Sequence, residues 1–151
     1  MKNGKVYFAQ SVLLFAAALL AGCGAVRRDD AAQVRERALE RWSLLIAHKA
    51  EKAYDFLAPG YRSTITREDY ARSMNNRPVA WKSIEFVDQK CDEDACTVNM
   101  KLAYSVQINL HGQHEVKGNS PIEERWIRES GHWYVLPDNR SPVRKAVPKS
   151  S

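Results

Sequence analysis

The chain reads as an α+β domain in which N-terminal helices pack on one face of a curved antiparallel sheet. Three observations predict this. Apolar residues recur at helical intervals as far as Asn76, and from Val79 onward they alternate with polar ones, so the period changes from 3.6 to 2. The 151 residues, 44% hydrophobic and 27% charged, suit one globular unit rather than long disorder or a multidomain enzyme. Helices followed by strands, instead of strict alternation, favour α+β over a parallel α/β sheet.

Asp30 and Gln33 have the spacing of a capping box, with Asp in place of Ser or Thr, just ahead of an apolar series. Val34, Ala38, Trp42, Leu45 and Ile46 form the core-facing stripe of a first helix, with Arg35, Arg37, Glu40 and Arg41 on its other side. After a break at His48-Lys49, Ala50, Ala53, Tyr54 and Leu57 predict a second short helix, stopped by Pro59-Gly60. Thr66 and Asp69 repeat the capping-box spacing for a third, carrying Tyr70 and Met74. It ends at Asn75-Asn76, because Pro78 disfavours helix at Arg77.

The clearest strand places Cys96, Val98, Met100, Leu102, Tyr104, Val106, Ile108 and Leu110 on one face and polar or small residues on the other. Further strands are expected over Trp81–Asp88, Ile122–Arg128 and Trp133–Leu136, the last two joined at Glu129-Ser130-Gly131. If Cys91 opposes Cys96 in a regular hairpin, Glu85 and Val87 face inward while Ile84 and Phe86 face away. One extra residue between Val87 and Lys90 restores Phe86 opposite Met100 and Ile84 opposite Leu102, so a bulge is expected there, bending the sheet into a cone.

Both ends lie outside that unit. Lys2 and Lys5 precede an apolar run from Val12 to Ala21, which is shorter than the roughly 17 residues a membrane span needs. The sequence Leu20-Ala21-Gly22-Cys23 resembles the bacterial lipoprotein lipobox, which implies cleavage before Cys23 and acylation of its thiol, with palmitate among the chains. Each buried methylene contributes ~0.8 kcal/mol, so several chains anchor the protein durably. Gly24 stands where an inner-membrane retention signal places Asp, so the resemblance implies the outer membrane, with the domain in the periplasm.

Removal of residues 1–22 takes two of the 23 basic residues and no acids, leaving 21 against 18 acidic and a net charge of +3. Arg140, Arg144, Lys145 and Lys149 lie among Pro142, Pro148 and serines, with no acid after Asp138. This composition reads as a solvated disordered tail, with a foothold on anionic lipid or wall polymer as the alternative. No nucleic-acid motif is present. The expected organisation is a signal peptide over 1–22, a lipidated N-terminus and linker over 23–30, the domain over 31–137 and the basic tail over 138–151.

With Cys23 acylated, Cys91 and Cys96 remain as an even pair in an oxidising compartment, and a disulfide across the hairpin mouth follows. The rival makes them zinc ligands with His111 and His114, but the cysteine spacing is loose and His111-Gly112-Gln113-His114 reads as an exposed polar turn. No metal or cofactor is expected.

The pattern Trp42-x-x-Leu45-Ile46, then Glu51-Lys52-Ala53-Tyr54-Asp55-Phe56-Leu57, Pro59 and Tyr61, closing with Glu124-Arg125-Trp126-Ile127-Arg128 and Gly131-His132-Trp133-Tyr134-Val135, resembles the nuclear transport factor 2-like superfamily. The resemblance implies a cone-shaped scaffold that hosts isomerases, dehydratases, binding proteins and partner modules. The ketosteroid isomerase pattern of a carboxylate base, a Tyr and a protonated Asp is not carried over. Tyr54 offers a phenol, but no Asp lies on the apolar face of the long strand.

Gly-x-Ser-x-Gly, phosphate-loop and His-Glu-x-x-His patterns are absent from the sequence. Adjacent Glu123 and Glu124 point to opposite faces of a strand, which argues against paired carboxylate chemistry, and Asp92, Glu93 and Asp94 read as a solvated turn. Trp42, Tyr54, Tyr70, Trp81, Phe86, Tyr104 and Trp126 either line a pocket or fill the core. Three functions follow: a non-catalytic envelope lipoprotein contacting a protein or the wall, a binder of a small apolar ligand in the cone, and an isomerase- or dehydratase-like enzyme resting on His48 or Asp55. The first is preferred, because the anchor signal is strong and catalytic patterns are missing.

Overall fold

The structure, a computed structural model, describes residues 30–109 and 113–138. Four helical segments precede four strands: α1 over residues 30–46, α2 at Ala50–Ala53 continuing as a 3-10 turn at Tyr54–Phe56, α3 at Pro59–Arg62 and α4 at Arg67–Asn75. The strands are β1 (Val79–Cys91), β2 (Ala95–Asn109), β3 (Gln113–Glu129) and β4 (His132–Leu136). They form one open antiparallel sheet in the order β1-β2-β3-β4.

Helix α1 ends because His48 takes a left-handed conformation at φ 56°. The Lys49 N–H donates to the Leu44 carbonyl and the His48 N–H to that of Leu45, the paired bonds of a Schellman stop. The next helix is shorter than expected. At Leu57 the chain turns extended and forms a parallel bridge to Val135, with the Ala58 N–H donating to the Val135 carbonyl at 2.9 Å. Pro59 therefore starts a helix rather than ending one: it occupies the first turn of α3, where a missing N–H costs nothing. The Thr66 hydroxyl accepts from the Asp69 N–H, capping α4 as the spacing predicts. Asp30 is engaged differently, because its carboxylate accepts from Arg128 and from the Trp133 indole.

Strands β1 and β2 pair Cys91 with Cys96, Phe86 with Met100 and Ile84 with Leu102. The irregularity lies between Phe86 and Asp88, so Val87, 57% exposed, is the extra residue, one step before the expected interval. A second shift leaves Lys82 unpaired between Trp81 and Ser83. β2 and β3 pair without interruption from Ala95–Ile127 to Asn109–Gln113. β3 is thus much longer than the expected Ile122–Arg128, and β1 begins at Val79 rather than Trp81. Gln113 and His114 belong to a strand, not to a turn, while Leu110 and His111 lie outside the described residues. Ser130 and Gly131, both at positive φ, make a two-residue turn whose twist suits the β3–β4 hairpin.

The core lies between helices and sheet, where Val34, Ala38, Trp42 and Leu45 of α1 meet Val98, Met100, Leu102, Trp126, Trp133 and Val135. Arg41 departs from the expected pattern: it is buried with the apolar stripe, not exposed with Arg35 and Glu40. Cys91 and Cys96 are joined by a disulfide that closes the β1–β2 hairpin. So short a loop limits its stabilisation to about 2 kcal/mol by the chain-closure relation. The Cys91→Ser/Cys96→Ser variant should fold with a modestly lower melting temperature, and a thiol probe should label neither cysteine of the unreduced parent. Quantitative labelling of the folded parent contradicts the bridge.

Candidate functional site: the helix–sheet interior

On β3, Ile122, Glu124 and Trp126 share the inward face by strand alternation, which drives a carboxylate into the apolar layer opposite Val98. On α1, Arg41 sits three residues beyond Ala38 and four before Leu45, so its guanidinium enters the same layer from above. The two meet. Arg41 Nη1 donates to Glu124 Oε1, both side chains only 8% exposed. The Trp42 indole donates to the same oxygen at 2.8 Å, and the Trp126 indole to Oε2 at 3.1 Å. Arg41 Nη2 donates to the Tyr70 hydroxyl at 3.2 Å, while its Nε is buried without a partner among the described residues. Burial opposes the Arg41 charge, but the Glu124 carboxylate and then the Tyr70 hydroxyl outweigh it, raising that guanidinium above its ordinary range.

This cluster contains three of the seven aromatic residues named from the sequence as a pocket lining, and they occupy the space rather than surround it. Trp42, Tyr70 and Trp126 are buried, with their polar atoms bonded inside the chain. Tyr54 is buried too, its hydroxyl donating toward the carbonyls of Arg62 and Ile65. Trp81 and Phe86 pack half-buried against the core, Trp81 edge-on to Trp42 with ring centroids 5.1 Å apart and Phe86 beneath the Arg35 guanidinium at 4.4 Å. Tyr104 lies across Gly118, where an added Cβ would stand 2.8 Å from its ring.

The two groups nominated for acid–base work are not in this interior. His48 is exposed at the end of α1. Asp55 is exposed and bound in a fork by Arg67, with oxygen–nitrogen distances of 2.6 and 3.0 Å, and Arg62 lies 4.0 Å away. Hydrogen bonding from Arg67 holds the Asp55 carboxyl below the usual aspartate range, against a smaller opposing effect of burial. The zinc alternative fails on geometry. Cys96 pairs with Trp126 near one end of β2, while the exposed His114 pairs with Ile108 near the other. Twelve residues of extended strand separate those pairs, about 40 Å. Among the described residues no three His, Cys, Asp or Glu side chains are grouped to hold a metal. An open depression beside the hairpin tip is lined by Asp92, Glu93, Asp94, Ala95, Arg125 and Ile127. Asp92, Glu93 and Asp94 are exposed, as expected of a solvated turn, and Arg128 binds the Asp94 carboxylate and the Glu93 carbonyl. Cys23 lies outside the described residues.

Sequence reasoning missed the Arg41–Glu124 pair, although its signal was present: two opposite charges, each at an apolar-face position of its own element.

No protein-family model matches this sequence, and no curated protein matches it. Among solved structures the chain is similar to a protein of unknown function from Mycobacterium tuberculosis, at 15% identity and a TM-score of 0.50 over 85% of this chain and 83% of that one. It is also similar to a protein from Catenulispora acidiphila, at 18% identity and a TM-score of 0.51 over 74% of this chain and 90% of that one. A SEC-C motif protein from Rhodopseudomonas palustris aligns over 64% of this chain and 70% of its own, at 11% identity and a TM-score of 0.47. At such identities the likeness concerns the fold alone.

Removing one member of a buried ion pair strands the other. Glu124→Ala and Arg41→Met should each lower the unfolding free energy by about 3–5 kcal/mol, and the double variant should lose clearly less than the two losses combined. Denaturant unfolding of the three variants measures this, and additive losses would show that the residues do not act as a pair. The exposed Asp55–Arg67 pair behaves differently. A depressed folded pKa means stability that is present above the ordinary aspartate value near 3.9 and is lost as pH falls through the lower folded value. Asp55→Asn should therefore cost under about 1 kcal/mol at neutral pH, and the difference from the parent should vanish in acid.

Proposed function

We propose that this chain is a lipid-anchored protein of the bacterial outer membrane. Its periplasmic domain, of the nuclear transport factor 2-like type, acts as a non-catalytic module contacting another envelope protein or the wall. The observation that carries the non-catalytic reading is the state of the interior: Trp42, Tyr70 and Trp126 fill it, and Glu124 accepts from Arg41 and both indoles. A carboxylate so engaged is poorly placed to serve a substrate, and the filled space favours a module over a binder of small apolar ligands in the cone.

The anchor rests on Leu20-Ala21-Gly22-Cys23. Asp30 lies seven residues beyond Cys23, which restricts the start of α1 to within roughly 25 Å of the acylated residue. Asp30 is fastened to Arg128 and Trp133 at the β3–β4 turn. In this reading that end of the domain, with the disulfide-closed hairpin, lies nearest the anchor, and the outward sheet face carrying Glu85, Lys101, Asp88 and Asn99 is the surface offered to a partner. The basic residues Arg140, Arg144, Lys145 and Lys149 supply a second, electrostatic contact with anionic lipid or wall polymer.

Cys23→Ala should leave an uncleaved precursor that incorporates no labelled palmitate, and equal labelling of variant and parent would sink the anchor. An environment-sensitive apolar dye separates the module from the cone-cavity binder. Saturable dye binding that Trp42→Ala abolishes would favour the binder, whereas dye fluorescence that is the same in the parent and in Trp42→Ala supports the module.

A further inference from the structure

Arg77 is a half-buried cation at the margin of the interior. It follows α4 and directly precedes Pro78 and β1, and its guanidinium folds back over the Trp81 ring at 4.8 Å from the centroid. It is half-buried, and its one hydrogen bond among the described residues goes to the Met74 sulfur, a weak acceptor. Arg41 has Glu124, Arg67 has Asp55 and Arg128 has Asp30 and Asp94, but no carboxylate reaches Arg77 among the described residues. Burial lowers its pKa; the Tyr70 hydroxyl opposes that effect and the Arg41 charge adds to it. A cation in such surroundings is complementary to one negative charge that the described chain does not supply.

An apolar surface begins at the same place. Trp81, Tyr104 and Gly118 form one cross-strand row on the inward face, and Val79, Val106 and Val116 form the next. Ile108 continues the face along β2. The core is a contact of α1 and the short helices with the other end of the sheet, and these valines are not part of it. Val116 is 49% exposed, and Val79, Val106 and Ile108 are half-buried.

We infer that this open end of the sheet binds a long-chain alkyl carboxylate, with Arg77 forking the head group and the chain lying along Val79, Val106 and Val116. The planar guanidinium presents paired N–H donors that match the two oxygens of a carboxylate. The local charge count selects a monoanion, because the neighbouring Arg41 is already matched by Glu124, which leaves the single charge of Arg77 beside this apolar row among the described residues. A dianionic phosphate would leave a charge unmet beside apolar side chains. Gly118 adds a shape element: a Cβ there would push the Tyr104 ring off the sheet, so glycine keeps the floor beside Trp81 flat. The site lies outside the Arg41–Glu124 interior and does not depend on the lipid anchor.

The test uses the full chain extracted into a neutral sugar-headgroup detergent and photolysed with a diazirine-bearing palmitic acid, its methyl ester and a diazirine-bearing hexadecyl phosphate. Adducts are mapped by peptide mass spectrometry. The acid should label residues 77–81 and 104–118 at least about tenfold more than the ester, since a charge-assisted head-group contact is at stake. Arg77→Gln should reduce labelling by the acid about tenfold while leaving the ester at the parent level, and Arg77→Lys should recover part of it. Val116→Ser should weaken labelling by the acid at an unchanged melting temperature, which keeps the proposal open to refutation if the Arg77 variants fold poorly. Equal labelling by acid and ester, preference for the phosphate, adducts confined to other segments, or cross-links between two copies through the Val116 region that persist in excess acid would each overturn it.

Discussion

The buried contact between Arg41 and Glu124 is the constraint that relates the two layers of this domain. Hydrophobic burial holds α1 against the sheet but is tolerant of sliding, because one apolar side chain replaces another at little cost. A charge pair is not tolerant. Glu124 must lie on the inward face of β3, and a one-residue slip of that strand would bring Glu123 or Arg125 inward instead. Either choice would leave Arg41 and the indoles of Trp42 and Trp126 without their acceptor inside an apolar layer. The pair adds little net stability over a well-packed apolar substitute; what it adds is discrimination between registers, and β1 and β4 inherit the correct one through pairing with β2 and β3.

How much of this was legible in the sequence follows from which residues meet both layers. The alternation from Cys96 to Ile108 is plain because one face is buried for most of its length, and the pairings Phe86–Met100 and Ile84–Leu102 could be derived from parity alone. The bulge falls one residue earlier than expected because the pairings Cys91–Cys96 and Phe86–Met100 require one extra residue between them without fixing which, and in the structure it is Val87, 57% exposed. The first part of β3, from Gln113 to Pro121, was not legible as strand. It pairs with β2 over a region where the helices do not cover it, so polar residues appear on both faces. Pro59 was misread because its two roles, ending a helix and opening one, share the same residue. The deciding contact, the Ala58 N–H to the Val135 carbonyl, is a long-range one.

The candidate site shows the same division. Aromatic residues at core spacing were identified as a group, but whether seven rings enclose a space or fill it depends on where their polar atoms find partners. Trp42 and Trp126 bond Glu124 from different elements, and Tyr54 bonds backbone that follows α3. Of these contacts only that of Trp126 with Glu124, two residues away on β3, is local. Arg41 was assigned to the polar side of α1 by residue type, although its neighbours Ala38, Trp42 and Leu45 are buried. Treating a charge on an apolar stripe as a feature to be matched with an opposite charge elsewhere would have found Glu124, which stands between inward Ile122 and Trp126.

The two ends of the sheet are built for different surroundings. At one end the chain is heavily fastened: the disulfide closes β1 to β2, Arg128 ties the hairpin tip to Asp30, and Trp133 is covered by Arg128 and capped by Arg37 at its carbonyl. At the other, β4 does not reach. β3 from Gln113 to Glu124 is a sheet edge, protected by Glu115, Lys117 and Pro121, of which proline lacks the N–H a new strand would need. Among the described residues the inward valines there face no helix, and Arg77 faces no acid. An edge defended against strand addition beside an undefended apolar face discriminates between classes of partner, disfavouring another strand while leaving room for a molecule that meets side chains rather than backbone.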